Sequence, residues 1–298
     1  MNKPLPLSSD VTLIQVFVRG PGGGNPVPLV ADARGMSAAD MKAVAASHGH
    51  ESAFVLPAGR DDCNWRLRFF VPEHEMEMCG HATVGTLWAL RQWGHWTTPT
   101  ARIETLSGVV DARWDAAGQR VWISQPPVTS RVLTPAECAR VAELLGLPSG
   151  GPSYTMHNAS TSRVKTLVAL PSVAMLDGLR PDFARMADAC TAIESTGLYP
   201  YAEGAPDADG IPVYHARQFP RASGYPEDAA TGIAAAALWG YLTSEGPLAG
   251  AGSPLPSIAV RQGDAMGRPS EIRIAPRVDD RGQPAGCWLS GQVEWSKE

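Results

Sequence analysis

Along most of this chain apolar residues alternate or gather in short runs, and only a few stretches carry the three-and-four spacing of a helix. Residues 11–17 are β-branched and apolar and predict a first strand, which residues 27–30 resume after the glycine-rich turn at 21–26. Ser37 is placed to cap a helix through Met41, Val44 and Ala45. Residues 51–56 predict a strand that begins with a carboxylate, and residues 65–71 alternate as another. Residues 72–78 read as a loop. It ends at Gly80, in a corner of small residues that opens a helix over 83–93. Strands are expected over 101–105, 109–114 and 120–124.

Pro126-Pro127 makes a stiff break, and the domain boundary is placed there, giving residues 1–125 and 126–298, with the last strand free to return to the first domain. Beyond it, residues 135–145 read as a helix ending near Gly146, 149–153 as a loop, and 163–170 as a strand. A short helix is expected over 181–190, with 192–193 and 197–199 flanking another strand-like stretch. Residues 213–219 alternate and lead to a second small corner, Glu227-Asp228-Ala229-Ala230-Thr231-Gly232, which opens an apolar helix to Tyr241. Late strands at 258–260 and 272–274 flank a Gly/Pro-rich loop at 263–269, and residues 287–293 close the sheet. The parts recur in the same order on both sides of the break. Setting Ala82-Thr83 on Ala230-Thr231 without a gap puts Leu90 opposite Leu238, Cys79 opposite Glu227 and Gly80 opposite Asp228.

A chain of 298 residues is long for one core and suits two domains. The apolar share of 44 % and charged share of 18 % are those of a globular protein. A net charge of −5 without any basic cluster argues against nucleic acid as a partner. No apolar run approaches the length of a membrane span, and the N-terminus has no secretion-signal pattern. Five cysteines at irregular spacing point to reduced thiols and a cytoplasmic protein. There is no CxxC and no HExxH, and His48 with His50 lacks a third ligand, so no metal is expected.

Two helix starts, each opened by a small polar corner, offer unpaired backbone N–H groups and the positive end of a helix dipole to an anion such as a carboxylate. Each corner alone reads as an ordinary helix start; their pairing is what points to one acid-binding site made from both halves, at a shared cleft. Glu51 is either a solvated strand-end charge or a general acid/base whose pKa its apolar neighbours raise. Asp228 is expected to cap the second helix, and Glu227 to be solvated. Cys79, near a helix start and close to His81, is either a base or nucleophile, or a small buried side chain. His81 either binds a carboxylate and shuttles a proton, or hydrogen-bonds the loop.

The ordered segments Gly24-Asn25-Pro26-Val27, Glu51-Ser52-Ala53-Phe54-Val55, Gly80-His81-Ala82-Thr83-Val84-Gly85, Glu227-Asp228-Ala229-Ala230-Thr231-Gly232 and Gln262-Gly263-Asp264-Ala265-Met266-Gly267-Arg268-Pro269-Ser270 span nearly the whole chain. Together they resemble the PhzF-like isomerases, within the diaminopimelate-epimerase-like superfamily. The resemblance implies an α+β fold of two pseudo-symmetric domains, each a curved, mostly antiparallel sheet or barrel around a central helix. It implies cofactor-free proton transfer on a small carboxylate-bearing substrate, in a homodimer. The family's glutamate base falls on Glu51, and its substrate-holding histidine and aspartate fall on His81 and Asp228. Gly80, Ala82, Thr83, Ala230, Thr231, Gly232 and Asn25 make up the remaining substrate-binding set, with Gly80 presenting its N–H.

Three departures stand out. Ile233 occupies a place where the family commonly has serine, and Ala229 replaces the usual proline. Cys79 gives Met-Cys-Gly-His, which also resembles the first corner of proline racemases; those enzymes use two thiols, and the second corner here has none. The expected function is therefore a cofactor-independent isomerase. The alternatives are an epimerase or racemase using Cys79 and, from another class, a non-catalytic small-acid-binding or interaction protein.

Overall fold

The structure is a computed structural model and describes residues 7–148, 154–250, 252 and 254–296; the loop expected at 149–153 lies outside them. In chain order the elements are β1 (Thr12–Val16), β2 (Asn25–Val30), α1 (Ala38–His48), β3 (Ser52–Leu56), β4 (Trp65–Phe70), β5 (Glu75–Met76), α2 (Gly80–Gln92), β6 (Thr100–Thr105), β7 (Gly108–Asp115) and β8 (Arg120–Gln125). They continue with β9 (Thr129–Val132), α3 (Pro135–Leu145), β10 (Met156–Ser160), β11 (Lys165–Ala169), α4 (Val173–Gly178), α5 (Met186–Ala192), β12 (Gly197–Glu203), β13 (Val213–Ala216) and β14 (Phe219–Pro220). The last are α6 (Gly232–Ser244), β15 (Ile258–Gln262), β16 (Ser270–Val278), β17 (Pro284–Ser290) and β18 (Val293–Trp295). Two compact units form: residues 1–124 with 288–298, and residues 125–287.

In the first unit β1 pairs antiparallel with β2, β2 parallel with β3, β3 antiparallel with β4, β4 parallel with β6, and β6 antiparallel with β7. A parallel pair needs a crossover, and helices supply it: α1 between β2 and β3, α2 between β4 and β6. The sheet wraps α2, which is buried from Gly80 to Leu87 and touches β1, β2, β3 and β18. That approach is close enough to need glycine: a Cβ at Gly85 would lie 2.6 Å from Val16 Cγ2 and 2.7 Å from Ile14 Cδ1. A separate apolar cluster joins α1 to the strands through Met41, Ala45, Val30, Phe54 and Phe70.

The second unit repeats the series. β10 pairs antiparallel with β11, β11 parallel with β12, β12 antiparallel with β13, β13 parallel with β15, and β15 antiparallel with β16. Here α4 and α5 make the first crossover and α6 the second. α6 is buried at every position from Gly232 to Thr243, which explains its sequence: a helix wrapped on all sides has no polar face to mark a period. The two units are thus α+β and share one connectivity, which is the pseudo-symmetry expected.

Several local readings change. α2 begins at Gly80, three residues before its expected start. The helix expected over 181–190 is a 3₁₀ turn at Phe183–Arg185 followed by α5, residues 192–193 end that helix, and the strand begins at Gly197 instead of between them. α4 and the short strands β5, β9, β10 and β14 had no strong pattern; α4 is started by Ser172, whose hydroxyl accepts from Met175 N–H. Counted from their first residues, α2 and α6 align Cys79 with Thr231 and Gly80 with Gly232, four residues away from the ungapped register read in the sequence. Ile233 thereby takes the second helical position, as His81 does in α2. Among the described residues no helix is long and apolar enough to cross a membrane.

Candidate active site

In the first unit Glu51 meets Cys79 and His81, a pair at the start of α2 that begins 28 residues further along the chain. Glu51 stands one residue before β3, Cys79 is the N-cap residue of α2 in an extended conformation, and His81 lies in the first turn of α2. The Cys79 thiol donates to Glu51 Oε2 at 3.0 Å and lies 3.4 Å from His81 Nδ1 and 3.9 Å from His81 Nε2. His81 Nε2 is 3.6 Å from Glu51 Oε2. Cys79 and His81 are buried, and the Glu51 side chain keeps 17 % of its exposure, so the carboxylate is the open edge of the cluster.

The surroundings hold these groups still. Thr83 sits one turn into α2 and donates both its N–H (3.0 Å) and its hydroxyl (2.7 Å) to the Cys79 carbonyl. Ser52, beside Glu51, is fully buried and donates to the His50 carbonyl at 3.1 Å. Thr83 is therefore a support of the Cys79 backbone, while Gly80 and Ala82 are buried helix-start residues. Asn25 opens β2 opposite Val16 of β1. No side chain caps α2, in contrast to α1 and α3, whose Ser37/Asp40 and Thr134/Glu137 pairs form reciprocal capping boxes.

The second unit carries a different corner. Asp228 is not the cap of α6: Thr231 takes the N-cap place, no side chain caps that helix, and the Thr231 hydroxyl donates to Asp228 Oδ2 at 2.5 Å. The Asp228 N–H donates to the Gln218 carbonyl at 3.0 Å. Gln262, nearly fully buried at the end of β15, clamps the corner from the side. Its Nε2 donates to the Asp228 carbonyl (2.6 Å) and to Thr231 Oγ1 (3.2 Å). Its Oε1 accepts from Thr231 N–H (3.2 Å) and from the Tyr199 hydroxyl (3.0 Å). Burial pushes the Tyr199 hydroxyl well above its ordinary pKa, so it remains a donor. Gly263 follows with φ 82°, where a Cβ would lie 2.2 Å from the Arg268 carbonyl oxygen and 2.9 Å from that of Ala229.

Glu227 is not solvated. Its carboxylate takes a two-point ion pair from Arg217 at 2.8 and 2.7 Å, and both side chains are about nine-tenths buried. Arg217 also donates to the carbonyls of Leu176 and Leu179, so it ties the corner to α4. Ala230 and Gly232 are buried around it. Sequence reasoning missed Arg217, Tyr199 and Gln262 as parts of this corner. Gln262 had a visible signal in its Gln-Gly loop; Tyr199 had none, because its hydroxyl gains meaning only from the side chain opposite.

The geometry can be set beside known proteins. The family profile of phenazine biosynthesis-like proteins (PhzC-PhzF) matches residues 14–292. An uncharacterized isomerase of Deinococcus radiodurans is 33 % identical over 287 residues, covering 92 % of this chain and 90 % of the relative. A trans-2,3-dihydro-3-hydroxyanthranilate isomerase of Pseudomonas chlororaphis is 30 % identical over 263 residues, covering 87 % of each. Among solved structures, a phenazine biosynthesis protein of the PhzF family from Bacillus anthracis shares the fold, with a TM-score of 0.81 at 24 % identity over 96 % of both chains.

Proposed function

The chain belongs to the phenazine biosynthesis-like family and is an isomerase; from that premise we propose that Glu51 moves a proton between two carbons of a small, unsaturated carboxylate-bearing substrate. The Glu51 carboxylate takes a proton from an acidified C–H. The electron pair left behind shifts into the neighbouring double bond, and the carboxylic acid returns the proton to the far end of that system. Atoms and electrons balance without an oxidant, a reductant or a cofactor.

The observation that carries this reading is the contact of Glu51 Oε2 with the Cys79 thiol at 3.0 Å. A thiol donor at one carboxylate oxygen fixes the side chain in one orientation, the condition for a general base to act on a defined carbon. For the alternative of an epimerase or racemase using Cys79, the same contact speaks against Glu51 as its second base on the opposite face of one carbon. Two such bases, each about 3 Å from the carbon, must stand roughly 6 Å apart. His81 is assigned to polarising the substrate, and Asp228, oriented by Thr231 and Gln262, to holding its polar group. Each uncapped helix start, that of α2 and that of α6, favours an anion within its own unit.

The test is solvent-proton exchange. The purified protein is incubated in deuterated water with trans-2,3-dihydro-3-hydroxyanthranilate and a panel of other small carboxylic acids, and label is read by mass spectrometry. Label with at least one compound is expected, lowered about 10²–10⁴-fold in Glu51→Gln with ligand binding kept. Exchange undiminished in Glu51→Gln would remove Glu51 from the role.

A further inference from the structure

We infer that Glu51, Cys79 and His81 form a three-donor site for one thiophilic divalent cation of the zinc type, and that an ion there silences the isomerase. One oxygen, one sulfur and one nitrogen from these residues all lie within 4.8 Å of one another. The individual separations are 3.0 Å for Cys79 Sγ to Glu51 Oε2, 3.6 Å for His81 Nε2 to Glu51 Oε2 and 3.9 Å for Cys79 Sγ to His81 Nε2. Zinc bound tetrahedrally at its usual sulfur, nitrogen and oxygen distances requires donor-to-donor edges of roughly 3.3–3.6 Å. The three separations fall within about 0.3 Å of that range.

The donor set also selects the ion. A thiolate, an imidazole and a carboxylate suit zinc or cobalt and are poorly matched to magnesium or calcium, which take oxygen ligands. The backbone that carries the donors is anchored: Thr83 bonds the Cys79 carbonyl, His81 is buried in α2, and Ser52, the neighbour of Glu51, is fully buried and bonds the His50 carbonyl. Thiolate and carboxylate together balance the two positive charges. Three protein donors leave one tetrahedral position open, and the partly exposed Glu51 marks the side from which an ion enters. Binding displaces the thiol proton, since the ligand form is the thiolate.

The consequence for activity rests on the role proposed above for Glu51. The oxygen that would ligate the cation is Oε2, the atom facing the thiol, and a carboxylate engaged by a divalent ion is a much weaker base. Metal binding and proton transfer then exclude one another, and removal of the ion restores the enzyme. Cys79 and His81 are two residues apart but Glu51 lies 28 residues before Cys79, so the full donor set does not show as a metal motif in the chain.

Cobalt(II) tests the site without relying on activity. Cys63 and Cys138 are the partly exposed thiols elsewhere, so the titration uses full-length protein carrying Cys63→Ser and Cys138→Ser. Under argon, one equivalent of Co²⁺ should give a thiolate-to-cobalt charge-transfer absorption that Zn²⁺ displaces. Cys79→Ser should abolish that band, and Glu51→Gln and His81→Ala should each weaken binding by more than about tenfold, at least the cost of losing an outer-shell partner. Absence of the band, its survival in Cys79→Ser, or unchanged affinity in both other variants would overturn the site. In the activity arm, Zn²⁺ should stop deuterium exchange and a chelator should restore it. Cobalt bound at Cys79 with exchange undiminished would leave the metal site standing and overturn both the silencing and the role of Glu51.

Discussion

The thiol of Cys79 rests 3.0 Å from the carboxylate of Glu51, across a sequence separation of 28 residues. The first residue is fixed by the start of a buried helix and the second by the start of a strand, so their contact is a product of packing and not of chain proximity. With Glu51 as the proposed base, this pairing assigns Cys79 the role of positioning group, which has its own signature.

Cys79→Ser keeps a donor to Glu51 and should retain solvent-deuterium exchange within about tenfold, whereas Cys79→Ala loses a hydrogen bond to a charged acceptor, about 1.5–3 kcal/mol, and should fall further. The pH profile of kcat/KM should shift in Cys79→Ala and stay near wild type in Cys79→Ser. Exchange in Cys79→Ser as low as in Glu51→Gln would make the thiol itself the base.

The Gln262 clamp predicts a separation between stability and positioning. Gln262→Leu leaves the Asp228 carbonyl, the Thr231 N–H and the Tyr199 hydroxyl without this partner. Each unsatisfied buried group costs about 1–3 kcal/mol, and loosening of the Asp228 corner should lower kcat/KM by about 10²-fold. Tyr199→Phe removes only the outer member and should cost about 1 kcal/mol in urea unfolding, with smaller kinetic change.

The Arg217–Glu227 pair should be strongly coupled. Glu227→Ala strands a buried guanidinium and is expected to destabilise the protein by about 3–5 kcal/mol. The double variant Arg217→Met/Glu227→Leu should recover much of that loss, because apolar residues of similar volume remove both desolvation costs. Urea unfolding of the two variants checks this; equal destabilisation would show the pair to be uncoupled.

Gly263 and Gly267 form an internal control. Both have left-handed backbone, φ 82° and 70°, so alanine strains each. A Cβ at Gly267 meets nothing within 4 Å, while at Gly263 it meets the Arg268 carbonyl oxygen at 2.2 Å. Gly263→Ala should therefore be less stable than Gly267→Ala by about 1–3 kcal/mol, and it alone should impair turnover, since the displaced backbone abuts Ala229 beside Asp228. Equal losses in thermal unfolding would mean that the loop yields without cost.

The sequence by itself determined the architecture. Period-two runs, the two small corners and the runs of small and apolar residues behind them specify strands, helix starts and buried helices, because those features depend on local geometry and on which faces meet water. The order of the parts specified two related halves, and the ordered motifs specified the family. Elements with mixed composition were not legible in this way: β10 carries His157, Asn158 and Ser160, and it is a strand because β9 and β11 pair with it on either side.

Only the tertiary structure decided what each polar residue does. Glu227 looked like a solvated charge and is a buried partner of Arg217; Asp228 looked like a helix cap and accepts instead from Thr231, the residue that takes the cap position. Cys79 was equally readable as chemistry or filling until Glu51 and His81 were found against it. The physical reason is common to all three. A polar side chain acquires its role from the donor or acceptor that faces it after burial, and that partner comes from a distant strand or helix whose register the local pattern does not encode.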